Sequence, residues 1–222
     1  EKMNHIYNYT VEDFKSYLLS KGEKPFRSTQ LIEWLYRHKI NSFDEITNMK
    51  KFFIETLKED FVIDKLELVL KQESSDGTIK LLLELSDGAK VETVLMRYSY
   101  GNVVCVTSQV GCNMGCAFCA SGLNKKQRNL EVYEMVLQIQ MINDILAFNK
   151  KANRDLMVES KDLDKTLGEY IKNYSKAFKN RYLLPMGAAI WSTPSSEMNN
   201  FPARTFLKFF KNPIIKFKLF SC

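Results

Sequence analysis

Histidine is nearly missing from this chain: its 222 residues hold two, His5 and His38. A metal centre built on imidazoles is therefore excluded wherever both are remote. No run of about 18 uncharged apolar residues occurs, so no membrane span is predicted. The stretch Glu1-Lys2-Met3-Asn4-His5 lacks the apolar segment of a signal peptide, and the expected compartment is the cytosol. Five cysteines, at 105, 112, 116, 119 and 222, are an odd number and a poor disulfide framework. There is no internal repeat and no Gly-x-Gly-x-x-Gly dinucleotide fingerprint.

What is present is ordinary in bulk and uneven along the chain. Hydrophobic residues make up 45% and charged residues 26%, as in a soluble globular protein with a real core. The net charge of +6 suggests a nucleic-acid partner. However, residues 1–147 carry 18 Lys+Arg against 20 Asp+Glu, whereas 148–222 carry 14 against 6. The basic excess thus lies in the last third, where a solvated basic face explains it as well as RNA does.

The pattern of apolar residues divides the chain. Thr10 to Asp13 and Ser42 to Glu45 have the Ser/Thr-x-x-Asp/Glu form of a helix start. Phe14, Tyr17 and Leu18, then Leu31, Ile32 and Leu35, then Phe52, Phe53 and Leu57 recur at helical spacing. Residues 1–62 read as a small helical domain. A period of two follows, with Leu66, Leu68, Leu70, then Ile79, Leu81, Leu83, Leu85, then Val91, Thr93, Leu95. Ser74-Ser75-Asp76-Gly77 and Ser86-Asp87-Gly88 are turns between these strands. Val103 to Thr107 is one more strand, and Leu130 to Leu146 is a helix with Val132, Val136, Ile139 and Ile142 near one face. Residues 63–147 are expected to form a β-meander and the opening βα step of a parallel barrel, making the fold class α/β. Residues 148–222 read as an atypical, mostly helical tail.

Chemistry concentrates in Gly111-Cys112-Asn113-Met114-Gly115-Cys116-Ala117-Phe118-Cys119, a C-x3-C-x2-C spacing. Soft thiolates suit an iron–sulfur cluster. One loop can wrap such a cluster, giving three of four irons a ligand and leaving the fourth open. Structural zinc needs four protein ligands, and neither histidine is at hand to complete the set. Phe118 can shield the cluster or serve as a plain core aromatic.

These residues and their flanks closely resemble the RlmN/Cfr family of radical S-adenosylmethionine (SAM) methyltransferases. The resemblance runs over about residues 10–147. It includes Phe26-Arg27 with Gln30 and Trp34, Asp76-Gly77-Thr78 with Lys80, Asp87-Gly88, Val91-Glu92-Thr93-Val94, Cys105 through Cys112, and Arg128-Asn129-Leu130. It implies a [4Fe-4S] cluster on Cys112, Cys116 and Cys119 and a SAM on that cluster. It implies methylation at carbon 2 of an adenine in 23S rRNA, with tRNA as a further substrate, a reducing donor such as flavodoxin, and a monomer. It further implies that Cys105 resolves a covalent enzyme–RNA adduct and that Glu92 handles the proton of carbon 2. Taken without their flanks, Cys105 reads as a small hydrophobe on an apolar strand and Glu92 as an exposed strand residue. Arg128 is read either as a contact to RNA phosphate or as a loop cap. Arg27, Arg37 and Lys39 are candidates for the RNA backbone, and Trp34 for the core.

The family's Gly-Glu-Pro stretch, which holds the SAM amino group, has no counterpart: Gly168-Glu169 is followed by Tyr170. From about 148 the chain instead loosely resembles an interior piece of FAD-dependent amine-oxidase-like proteins, on Leu167 to Tyr170, Arg181 to Ser192 and Phe201-Pro202-Ala203. These readings predict a chimeric or truncated methyltransferase with an incomplete barrel. Cys222 lies outside any family context. The lysine-interleaved aromatics of 206–220 are read either as an RNA grip or as an amphipathic end. The alternatives are a non-catalytic RNA-binding module with a vestigial cluster site and a flavin-linked oxidoreductase fragment.

Overall fold

A computed structural model describes residues 4–64, 66–114, 116–117, 124–174 and 178–211. Strand β1 (Asn4–His5) leads through a 3-10 turn into α1 (Val11–Ser20). Thr10 caps α1 as expected: its hydroxyl accepts from the Asp13 N–H, and Asp13 returns to the Thr10 N–H at 2.8 Å. Helix α2 (Arg27–Ile32) runs on as a wider π turn over Glu33–His38. Lys39 ends that turn in the left-handed conformation. Helix α3 (Lys51–Asp60) enters β2 (Phe61–Val62), which pairs in parallel with β1. Phe14, Leu18, Leu31, Leu35, Phe53, Leu57 and Phe61 form the core of this unit, with Tyr133 from outside it. Phe52 belongs to the other side of α3 and is 83% exposed, contrary to the face assigned to it by spacing.

His5 joins this unit to the rest. Its ring is buried and stacks on Tyr133 at 3.7 Å between centroids, and its Nε2 accepts the Asp64 N–H at 2.7 Å. Burial pushes its pKa down to about 4, outweighing the nearby Asp64 carboxylate. The unfolded chain, with an ordinary imidazole, therefore takes up a proton first. The stability contributed by neutral His5 is complete above pH 6.5 and is lost as pH falls from 6.5 toward 4. Between pH 7 and 4.5 the expected loss is roughly 2–3 kcal/mol. Urea midpoints of the wild type and of His5→Gln, compared at both pH values, check this: the glutamine variant should lose less. Equal losses would remove His5 from the account.

A four-stranded antiparallel meander follows, in the order β3 (Glu67–Glu73), β4 (Ile79–Glu84), β5 (Lys90–Tyr98), β6 (Gly101–Cys105). Ile79, Leu81, Leu83, Val91, Thr93 and Leu95 all point inward, as their alternation predicts. Leu70 does not. A register shift between Leu68 and Leu70 turns it to the opposite, open face beside Leu82. That open face also carries Glu92, Val94 and Met96 of β5 and, across from them, Val103 and Cys105 of β6. The strand read as Val103–Thr107 is thus β6, antiparallel to β5. The expected parallel βα step is not formed among the described residues.

Two short strands, β7 (Gln109–Val110) and β8 (Arg128–Asn129), pair antiparallel and bracket the cysteine loop. Helix α4 (Val132–Met157) then runs 26 residues, eleven past the Leu146 end read from sequence. Its buried face holds Glu134, Gln138, Met141, Ile142, Ile145 and Phe148, whereas Val132 and Ile139 are exposed. The face is rotated from the one expected because two polar side chains, Glu134 and Gln138, belong to the buried side. The expected boundary near 148 falls inside this unbroken helix. Helices α5 (Leu167–Tyr170), α6 (Leu184–Trp191) and α7 (Ala203–Lys211) pack with α4 on the inner face of the sheet, in one core that includes Leu81, Leu83, Phe148, Leu167, Phe178 and Phe206. No described helix is long and apolar enough to cross a membrane.

Candidate cluster loop and its supports

The cysteine loop leaves and re-enters the fold through a narrow neck. The Cys112 N–H donates to the Asn124 carbonyl at 2.9 Å, Gln127 N–H to Val110 at 2.8 Å, and Leu130 N–H to Ser108 at 2.8 Å. The Lys126 N–H is capped by Asn113 Oδ1 at 2.8 Å. Gly111 sits at the narrowest point with φ +71°. A Cβ there would lie 2.2 Å from the Lys125 carbonyl oxygen, so only glycine lets the two arms meet. A loop of this kind holds its ends together whatever its interior does.

Inside it, Cys112 is half-buried and Cys116 exposed, and both are free thiols. The Met114 N–H donates to Cys112 Sγ at 3.4 Å, the kind of N–H···S contact that tunes an iron–sulfur cluster. Phe118 and Cys119 lie outside the described residues, as does Cys222. Among the described residues, no group of three or more His, Cys, Asp or Glu side chains gathers to hold a metal ion. Free thiols with an N–H donor, and no histidine beside them, fit an iron–sulfur cluster better than structural zinc.

Cys105 is exposed and free, at the end of β6 and opposite Val94. Glu92 lies two residues from Val94 on the same face of β5, and its carboxylate pairs with Lys80 at 2.9 Å. The two candidate residues therefore share the open face of the sheet. The Thr107 hydroxyl donates to the Glu92 carbonyl oxygen, tying the chain just after β6 to β5.

Sequence reading overlooked Gln138. Its side chain is wholly buried. Its Oε1 accepts from Thr93 Oγ1 at 2.6 Å and Thr107 N–H at 3.0 Å, and its Nε2 donates to the Thr107 carbonyl at 3.0 Å. One amide thus fastens α4 to β5 and to the segment that enters the cysteine loop. A glutamine in a helix with apolar neighbours gives no local sign of that role. Gln138→Leu strands the Thr107 N–H and carbonyl, and should cost about 2–4 kcal/mol in urea unfolding. A cost under 1 kcal/mol would contradict this.

The basic candidates are mostly engaged. Arg27 pairs with Glu23 at 2.9 Å and Arg37 with Glu33 at 2.8 Å. Lys39 is committed to the buried Asp144 at 2.5 Å, joining the helical unit to α4. Trp34 packs on the core while its Nε1–H donates to Asn48. Arg128 contacts Asp87 and Glu134.

Comparison with known proteins places these features in context. Residues 4–63 match the family described as "Ribosomal RNA large subunit methyltransferase N-terminal domain". A Streptococcus equi subsp. equi protein named "Probable dual-specificity RNA methyltransferase RlmN" is 47% identical over 169 residues, 76% of this chain and 46% of its own length. A Geobacillus kaustophilus protein of the same name is 44% identical over 174 residues, 78% of this chain and 46% of its own. A solved radical SAM methyltransferase from Sphaerobacter thermophilus aligns with TM-score 0.54 and 36% identity, over 61% of this chain and 40% of that one. The chain therefore spans less than half the length of the relatives it matches. Alignments covering 78% of it extend past residue 147. The amine-oxidase-like reading of the tail receives no support from these comparisons.

Proposed function

We propose that this chain, which belongs to the RlmN/Cfr family, is the cluster-bearing portion of an RlmN-type enzyme that methylates carbon 2 of an adenine in 23S rRNA. The observation that carries this reading is the closed neck at Gly111, which presents free Cys112 and Cys116 in one loop. Cys112, Cys116 and Cys119 would hold a [4Fe-4S] cluster. Such a cluster, when bound, supplies the electron that cleaves SAM reductively.

Two further roles belong to side chains on the open sheet face. The Glu92 carboxylate, paired with Lys80 at 2.9 Å, accepts the proton from carbon 2 of the adenine. Cys105 would resolve the covalent adduct between enzyme and RNA: its thiolate attacks the adduct sulfur, an S–S bond forms as the S–CH2 bond breaks, and the released carbon takes a proton to become the methyl group. Phe118 would shield the cluster from water. The helical unit, whose residues 4–63 match an N-terminal domain of ribosomal RNA methyltransferases, would contact the RNA. No Gly-Glu-Pro stretch is present to hold the SAM amino group, so this chain as it stands binds a cluster and RNA without turning over.

Anaerobic reconstitution tests the reading. The protein should become brown and carry about four irons per chain, and the Cys112→Ser, Cys116→Ser, Cys119→Ser triple variant should carry none. Colourless protein retaining one zinc would sink it. Methylation of ribosomal RNA by this chain as sole enzyme should be absent, and robust methylation would overturn the claim of no turnover.

A further inference from the structure

The two readings of Arg128 left open by the sequence, a contact to phosphate or a loop cap, are separated by what its guanidinium touches. Arg128 lies on β8 with its backbone paired to Val110, so it is part of the neck itself. Its Nη1 and Nη2 donate to the two oxygens of Glu134 at 2.8 and 2.7 Å, a bidentate grip. Its Nε and Nη2 reach Asp87 Oδ2 at 2.9 and 2.8 Å. The Glu134 side chain is only 2% exposed, and it also accepts the Glu131 N–H at 2.8 Å as part of the cap of α4. Asp87 is exposed and accepts the Ala89 N–H in the turn between β4 and β5. One cation therefore ties three separate elements: the neck, the first turn of α4, and a sheet turn.

We propose that Arg128 is a positioning residue that keeps the cysteine loop shut at its neck, and that it does not bind RNA phosphate. Its donors are already used by two carboxylates and by the Asn129 carbonyl at 3.2 Å; a phosphate in place of the buried Glu134 would strand that charge, and one on the open side would have to displace Asp87. Lysine cannot substitute, because a point charge reproduces neither the fork onto Glu134 nor the simultaneous reach to Asp87. The inference rests on the cluster reading above only for its consequence, cluster retention. The closing of the neck is a property of the chain alone.

The test uses the full chain with two readouts. Amide hydrogen exchange in metal-free protein follows the Cys112, Gln127 and Leu130 N–H groups, which close the neck. Release of iron to a chelator follows reconstituted protein. Arg128→Ala and Arg128→Lys should each raise exchange at those amides and the rate of iron release about tenfold or more, with exchange in α1–α3 unchanged. Asp87→Asn breaks only the exposed arm and should raise both by a few fold, which keeps the proposal testable where Arg128→Ala fails to fold. Binding of a short adenine-bearing RNA hairpin should change less than twofold in every variant. Weakened RNA binding with exchange and iron release unchanged would overturn the proposal in favour of a phosphate contact. Wild-type protein that takes up no iron would instead sink the cluster reading, while neck exchange would still decide the role of Arg128.

Discussion

Gly111→Ala is expected to leave the chain without a cluster after reconstitution, although it removes no ligand. Two costs act together. Alanine at φ +71° is disfavoured by roughly 1–2 kcal/mol. Its Cβ would also meet the Lys125 carbonyl oxygen at 2.2 Å and its carbon at 2.8 Å. Those are backbone atoms of the opposite arm, and no side-chain rotation relieves them. The arms must part, and the Cys112 N–H loses the Asn124 carbonyl. Cys112 is then no longer held at a fixed distance from the returning strand, and on the proposed reading the cluster loses a positioned ligand. Iron per chain should fall from about four to below one, while the far-ultraviolet circular dichroism stays near wild type because the bonds that close the neck join non-helical residues. A variant with full iron and the wild-type spectrum would show that the neck has no part in assembly.

The second large effect is expected at Phe148. The ring is 2% exposed and packs edge-on to Tyr170 and Tyr174 and tilted against Phe178. It lies on α4 within the core that unites the sheet with the C-terminal helices. Phe148→Ala should cost about 3–5 kcal/mol and lower Tm by on the order of 10 °C. The two tryptophans make the result informative. Trp34 packs on the helical unit, and Trp191 packs on Phe201 and Phe206. Melting followed in Trp34→Phe protein, where Trp191 alone reports, should shift by the full amount. A loss below 1 kcal/mol would mean that residues after 148 do not share a core with the sheet.

Much of this architecture is visible in the sequence where the determinant is local. The capping pair Thr10–Asp13 forms as read; Ser42–Glu45 also forms, but on a short 3-10 turn, and α3 begins only at Lys51 without a side-chain cap. The alternation from Ile79 to Leu95 gives the inner face directly. A bulge misplaces Leu70, because one extra residue reverses the alternation without altering composition. The phase of α4 is misread for another reason: hydrophobic counting assigns Glu134 and Gln138 to solvent, yet partners 6 and 31 residues away satisfy them inside. The end of α4 is equally silent, since a change from apolar to basic composition after 147 marks a change of surface and not a break in the backbone. Of the candidate site, Cys112, Cys116, Cys105 and Glu92 are proposed from their flanks, and the fold places Cys105 and Glu92 on one sheet face. Gln138 and the Arg128 grip are not, because what defines them is a distance across the fold.

The parallel pairing of β1 with β2, Asn4 with Phe61 and His5 with Val62, has a mechanical consequence. Entry and exit of the helical unit lie side by side, so the polypeptide path itself fixes little of the unit's attitude. That attitude depends on a compact set of contacts: the His5–Tyr133 stack, Asn8 bridging Glu131 and the Tyr133 N–H, and the Lys39–Asp144 pair. These contacts, with Val136 and Leu137 of α4 packed on the unit's core, hold the unit against α4 where the path of the chain does not.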